Sequence, residues 1–397
     1  MITRTLLERI FSAASIERWN DHPHPAVFTE LGKQAHKMII AWVLGRLEED
    51  KGGAVDWIAL IEGGIFEFLH RVVVTDIRPP VFHRLMEDIE TRNELNDWVY
   101  KELASDLTKL SAGFADKFRE YHKTDKPSLE REILRASHFM ATKWEFDFIY
   151  RWSAGMYGVE DVKRDIESQI EKLSLGKDII AGQDSPLWNF ISLVGQLTFQ
   201  KRWAQTPRLP QTSVLGHILF VGLSAYMLSI EIGACPARAR NDFFGGLFHD
   251  LPEVLTRDIV SPVKASVEGL DALIRRYERE EMERRIFPLL PGKWSEELRY
   301  YTEEEFKNKT LHEDRIDPIQ RHEGDIPLEL NCDEYNPIDG RVIEACDKLA
   351  AYIEASVSIR MGVRPQALEE GKRNIYDRFS GLSLYGYPVG QLFDLFW

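Results

Sequence analysis

Cysteine is scarce in this chain. Three of them (Cys235, Cys332, Cys346) in 397 residues cannot frame a disulfide scaffold, and an odd number suits a reducing compartment. Strand signals are weak too. Apolar residues recur instead at helical spacing, as in Met38-Ile39-Trp42-Val43 and Leu349-Tyr352-Ile353, so the expected fold is all-α. Positive charge falls short of negative: 50 Lys and Arg against 64 Asp and Glu leave a net charge of −14. Such a surface repels a phosphate backbone at long range, which argues against a nucleic-acid polymer as partner but leaves room for a small phosphate ester in a locally positive pocket. Long charge-free runs are also rare. Leu209 to Ile230 is about as long as a bilayer requires. It opens with LPQTS, contains His217 and lacks the usual basic flanks, so a helix buried on all sides is expected rather than a membrane span. Arg4, Glu8 and Arg9 interrupt the apolar residues of MITRTLLERIFSAASIERW, which is therefore not a signal peptide. The expectation is a cytoplasmic protein without membrane contact.

Against that background one stretch is dense in chemistry: FFGGLFHDLPEVLTRDIVSPVK, Phe243 to Lys264. It reads as the end of a buried helix that delivers His249, Asp250, Glu253 and Asp258 in quick succession. The four-residue spacing of His249 and Glu253 places both on one helical face. Gly245-Gly246 permits close approach of another backbone or a ligand. An imidazole and three carboxylates at the end of an apolar helix are costly to bury unless a cation neutralises them.

The run H-D-x-x-E-V-L-T-x-D-x-x-x-P-V-K, unbroken from His249 to Lys264, resembles the HD superfamily of metal-dependent phosphohydrolases, closest to its 5′-deoxynucleotidase branch. Arg202-Trp203, His217, and Asp347 within VIEACDKLAAYIEA match other marks of that family. The resemblance implies that His217, His249, Asp250 and Asp347 hold one divalent metal. Mn²⁺, Co²⁺, Fe²⁺, Ni²⁺, Zn²⁺ and Mg²⁺ all remain open, because two imidazoles and two carboxylates suit any of them. The two carboxylates outside that set then carry the proton chemistry: Glu253 orients or deprotonates the attacking water, and Asp258 protonates the leaving oxygen. Arg202 clamps the phosphate with its planar fork, Trp203 stacks on a base or closes the pocket, and Lys264 adds positive charge nearby.

The chain also repeats itself. Arg18-Trp19 precedes Arg202-Trp203 by 184 residues. GGIFEFLHRVVVTDIRPPVF from Gly63 lines up with GGLFHDLPEVLTRDIVSPVK from Gly245, 182 residues on. REILRASHFMATKWEF lines up with GRVIEACDKLAAYIEA at an offset of 209, so the second copy holds roughly 27 extra residues between Lys264 and Asp347. Two tandem HD-like helical domains are expected, 1–180 and 181–397, with the divide in the glycine-rich, polar stretch Leu175–Ser185. In the first copy Glu67 stands against His249, Phe68 against Asp250, Arg71 against Glu253 and His138 against Asp347, while His36 falls near the place of His217. Phenylalanine binds no metal. That copy is read as degenerate, with two outcomes open: His36, Glu67 and His138 hold a residual metal, or a buried His/Glu/Arg network replaces the cation.

The function expected is release of phosphate from a small phosphomonoester, by resemblance a (deoxy)nucleoside 5′-monophosphate. Two alternatives stand beside it. One is a nucleotide-sensing or scaffolding protein without turnover. The other is an HD-fold di-iron oxygenase, for which His312 and His322 would be the added ligands. The first domain is expected to replace a second subunit, giving a monomer with an internal pseudo-dimer, or else the chain forms a homodimer. The aromatic stretch RFSGLSLYGYPVGQLFDLFW is expected to dock on a surface.

Overall fold

The computed structural model describes residues 1–397 apart from 25, 76, 78, 125, 183–184, 258–268 and 313–318. Helices run from Arg4–Ser12 to Gly390–Asp394. Among the described residues the strands are two short antiparallel pairs, Glu17–Arg18 with Phe28–Thr29 and Asn308–Leu311 with Ile319–His322. The fold is all-α, as the spacing of apolar residues implied.

Two long helices, Glu30–Asp50 and Val214–Glu231, pack against each other at the centre. They start alike: the hydroxyls of Thr29 and Ser213 cap them by accepting from the amides of Gly32 (3.2 Å) and Gly216 (3.0 Å). Val214–Glu231 is long and apolar enough to cross a membrane, but 89% of it is buried inside the fold. Neighbours cover it on all sides, which accounts for its composition. Pro236–Phe248 and Gly340–Arg360 flank it, as Leu129–Ser153 flanks Glu30–Asp50. The apolar core is continuous from Ile2 to Phe396. Trp42 meets Phe248 edge-on with ring centres 5.3 Å apart, and Trp57 meets Phe244 at 5.5 Å, so residues before and after position 180 share one core. The aromatic C-terminal stretch docks within the chain, with Phe393 against Tyr352 and Phe379.

Backbone features recur at the offsets read from the sequence. Trp19 and Trp203 both hold positive φ (60° and 56°), as do Thr75 and Arg257 (62° and 67°). For a tryptophan or a threonine that conformation is uncommon and strained. Glu30 donates its amide to the Ile16 carbonyl and Val214 to that of Gln200, each at 2.9 Å. Glu17 pairs with Thr29 as Lys201 bridges Ser213. The indole of Trp19 donates to Glu145 and that of Trp203 to Glu354, again each at 2.9 Å.

One glycine contact fixes where the second pair of helices can meet. A Cβ on Gly246 would lie 2.8 Å from the Cα of Gly222 and 2.9 Å from its nitrogen, and backbone cannot yield as a side-chain tip can. Gly246→Ala is expected to destabilise the fold by about 1–3 kcal/mol or more, read as a lower denaturation midpoint. Acid acts on other residues. Burial pushes the His36 imidazole down to about 4 despite its 2.9 Å bond to the Ile191 carbonyl, and burial, then His70, push His122 down to about 3. Both rings are therefore neutral in the fold but charge near pH 6.5 once unfolded, so their stabilisation is complete above that pH and is lost as pH falls toward 4 and 3. For His36 the loss is on the order of 3 kcal/mol. Urea midpoints are expected to drop between pH 6.5 and 4, and His36→Gln, which still donates to Ile191, is expected to flatten part of that slope.

Candidate functional site

His217 lies in the first turn of Val214–Glu231, where the Ser213 cap sets the helix start. Asp347 lies two turns into Gly340–Arg360, itself capped by Asp339 through the Val342 amide at 3.0 Å. These helices cross so that His217 Nε2 stands 3.0 Å from Asp347 Oδ1. His249 and Asp250 enter from the end of Pro236–Phe248. His217 Nε2 is 3.6 Å from Asp250 Oδ2, and His249 Nε2 is 3.3 Å from that oxygen and 3.9 Å from Asp347 Oδ1. Metal–ligand bonds of about 2.0–2.2 Å place neighbouring donor atoms roughly 3–4 Å apart, which is the spacing seen.

The donors are aimed inward. His249 Nδ1 donates to the Gly246 carbonyl at 2.8 Å, which turns Nε2 toward the carboxylates and fixes the ring. Asp347 Oδ2 accepts from Lys348 Nζ at 2.8 Å, leaving Oδ1 for the cluster. His249 Nε2 and Asp250 Oδ2 are buried without a hydrogen bond, since their 3.3 Å approach lacks the required geometry. Buried orphans of opposite sign facing one point are what a cation would satisfy. Among the described residues, His217, His249 and Asp347 are the group able to hold a metal by mutual distance, and Asp250 adjoins them.

Electrostatics agree with that assignment. Burial acts to raise the Asp250 carboxyl, but His249, Arg202 and His217 hold it below the usual carboxylate range. Asp347 is likewise depressed, burial being outweighed by Lys348, His217 and His249. Burial opposes charge on His249, yet Asp250 and then Asp347 lift it to about 9. A metal competes with that proton for the same nitrogen.

Arg202 stands at the rim, 3.5 Å from Asp250 and 3.8 Å from Asp347. It lines a cavity of about 350 Å³ together with Lys201, Trp203, Gln205 and Arg208. The Trp203 indole is fixed by Glu354, and the far edge of the ring lies against Gly371, whose Cβ would come within 3.1 Å of it. Trp203 thus serves as a wall of the cavity as well as a packing residue.

Glu253 is buried at the start of Glu253–Thr256, but not as sequence spacing suggested. Helix Pro236–Phe248 stops with His249 as its C-cap, because Pro252 has no amide to continue the ladder. Tighter bonds, Leu251 to Phe248 at 2.9 Å and Glu253 to Asp250 at 3.1 Å, carry the chain round. His249 and Glu253 therefore do not share one helical face. Asp258 and Lys264 lie outside the described residues. His312 bonds Glu334 at 3.1 Å and His322 bonds Thr310 at 3.0 Å, so neither is committed to the cluster as a second metal site would need.

Sequence reasoning passed over Lys348 and Glu354. Glu354 follows Asp347 by two turns on the same helix. It is 2% exposed and takes Trp203 and the hydroxyl of Thr212 as donors. A glutamate at that spacing on an otherwise apolar face was the available signal.

Compared with known families, residues 194–376 match the family model described as an HD domain. No curated protein matches the chain, and no solved structure does.

The ligand set makes a prediction independent of turnover. The purified chain is expected to retain about one divalent ion, and Asp347→Ala to lose it. Lys348→Met, which removes only the group orienting that carboxylate, is expected to weaken metal affinity about 10–100-fold. Equilibrium dialysis with elemental analysis reads both. Full metal content in Asp347→Ala would remove that residue from the site.

Proposed function

We propose, from the HD domain over residues 194–376 and the cluster it contains, that this chain hydrolyses a small phosphomonoester, with a (deoxy)nucleoside 5′-monophosphate as the substrate class. The observation that carries the reading is the convergence of His217, His249, Asp250 and Asp347 beside Arg202. Those four residues would hold the divalent ion, which when bound supplies Lewis-acid polarisation of the phosphoryl group and a water acidic enough to attack at neutral pH.

The chain's own groups do the rest. Arg202 presents parallel donors to the phosphate oxygens from the rim of the cavity. Lys348 holds Asp347 in place and adds positive charge beside it. Glu253 takes the proton of the attacking water, and Asp258, assigned from the H-D-x-x-E-V-L-T-x-D run, returns one to the leaving oxygen. The cavity walled by Trp203 receives the base or sugar, and Lys264 adds charge at its edge. A sensor that only bound nucleotide would need neither Glu253 nor Asp258, which favours turnover over scaffolding.

The recurrent backbone features support reading the first half as a tandem copy. Strained φ values at Trp19 and Trp203 and at Thr75 and Arg257, with matching indole–glutamate bonds, are improbable outcomes of independent folding. The packing of Glu30–Asp50 on Val214–Glu231 then makes an internal pseudo-dimer, with the first copy taking the place of a second subunit.

A phosphate-release screen over nucleoside monophosphates and sugar phosphates, with Mn²⁺, Co²⁺ or Mg²⁺ added and Asp250→Ala as blank, tests the activity. Release from a deoxynucleoside 5′-monophosphate is expected. Glu253→Gln should lower it about 10²–10⁴-fold while the metal stays bound. Equal release by wild type and Asp250→Ala, or none with any metal, sinks the reading.

A further inference from the structure

The pocket of the first half that corresponds to the metal cluster is filled differently. Position 33 is the true counterpart of His217, since the capping residues Thr29 and Ser213 stand 184 residues apart, as do the helix starts Glu30 and Val214. His36, expected there from its residue type, instead turns toward the Ile191 carbonyl. Lys33 takes the place, with Nζ 2.7 Å from Nδ1 of His138, the counterpart of Asp347. The second-half bond from His217 to Asp347 is thus reproduced as lysine to histidine. Glu67, the counterpart of His249, is occupied by Lys37 and by the Tyr121 hydroxyl at 2.7 Å. His36, Glu67 and His138 are each committed elsewhere and do not form a metal site.

Charge around that pocket has the opposite imbalance from the second half. Arg18 comes from the first short strand, Lys33 and Lys37 from Glu30–Asp50, and Arg71 from Trp57–Val74. Facing them are Glu30, Glu67 and Glu145: four cations against three carboxylates among the described residues. Arg18 uses Glu30 and Glu145, both at 2.9 Å, and Arg71 lies 3.7 Å from Glu30. Lys33 is 2% exposed, and among the described residues no carboxylate comes within ion-pair distance of it. Its one close partner is an imidazole, which accepts a proton but brings no negative charge. Burial, reinforced by Arg18, holds the Lys33 ammonium well below its ordinary range, and burial with Lys33, Lys37, Arg18 and Arg71 does the same to His138. A buried ammonium without a counter-ion is an unfavourable arrangement that an anion relieves. The cleft is open at its outer edge, where the side chains of Glu67 and Arg71 are 35% and 20% exposed.

We propose that this first-half pocket binds the phosphate group of a small ligand, with the Lys33 ammonium standing where the second half would hold its metal. The ligand is held and not hydrolysed, because no metal and no counterpart of Asp250 is present to activate water: Phe68 occupies that position. The inference rests on the tandem reading for the correspondence, but the residues of the pocket are a property of this half alone.

The test uses full-length Asp250→Ala protein in chelator, so that neither metal nor turnover contributes, with inorganic phosphate and thymidine 5′-monophosphate titrated by calorimetry. Binding is expected, weakened about 10–100-fold by the added Lys33→Met and unchanged by the added Arg202→Ala. His138→Asp gives Lys33 the carboxylate it lacks; it is expected to abolish binding even if Lys33→Met does not fold. Absence of binding, persistence in folded Lys33→Met or in His138→Asp, or loss on Arg202→Ala each overturns the proposal. Phosphate release by the wild-type enzyme is measured separately, so failure of the hydrolase reading and failure of this site give different results.

Discussion

The structure depends on how charge is buried where three helices meet. His217, His249, Asp250 and Asp347 sit at that meeting point with little access to water. An isolated carboxylate in such a place would protonate or force water in. Here Lys348 and Arg202 neutralise part of the charge from outside while two buried donor atoms still point inward unsatisfied. The arrangement is poised for a cation, and helix starts, caps and crossing angles serve to hold it so.

The first half meets the same constraint with covalently attached charge. Where the second half gathers imidazoles and carboxylates for an ion from solution, the first brings the ammonium of Lys33 to His138 and that of Lys37 to Glu67. A lysine carries its cation on its own stem, so this half folds without an exogenous ion. The helix pair and the strained Trp19 turn survive this exchange. Backbone geometry and the chemistry of the pocket are therefore separable, as expected if function is grafted onto a scaffold.

Most of the fold was legible because helical spacing is a local signal and the apolar faces are long. The ligand set was legible through the unbroken run after His249 and through Asp347 on an apolar face. What failed was register. Matching His36 to His217 compared residue types, while the helix caps at Thr29 and Ser213 set the correspondence three residues earlier. Spacing also placed Glu253 on the helical face of His249, although Pro252 lay between them in plain view and forbade it. Glu354 and Lys348 were not singled out because a lone acid or base on a helix is most simply a solvated one. Only the crossing with the Arg202–Thr212 loop buries Glu354.

The pair of glycines in FFGGLF shows how packing and site are joined. Gly246 lies directly on Gly222, closer than any side chain would allow. That contact brings Pro236–Phe248 down onto Val214–Glu231. The Gly246 carbonyl, exposed past the end of its own helical ladder, is then in position to receive His249 Nδ1. Drawing the helices apart would carry His249 away from His217, since each ring is held to its own helix. The absence of a single methyl group at position 246 thus governs the distance between two imidazoles that no local feature of either helix could set.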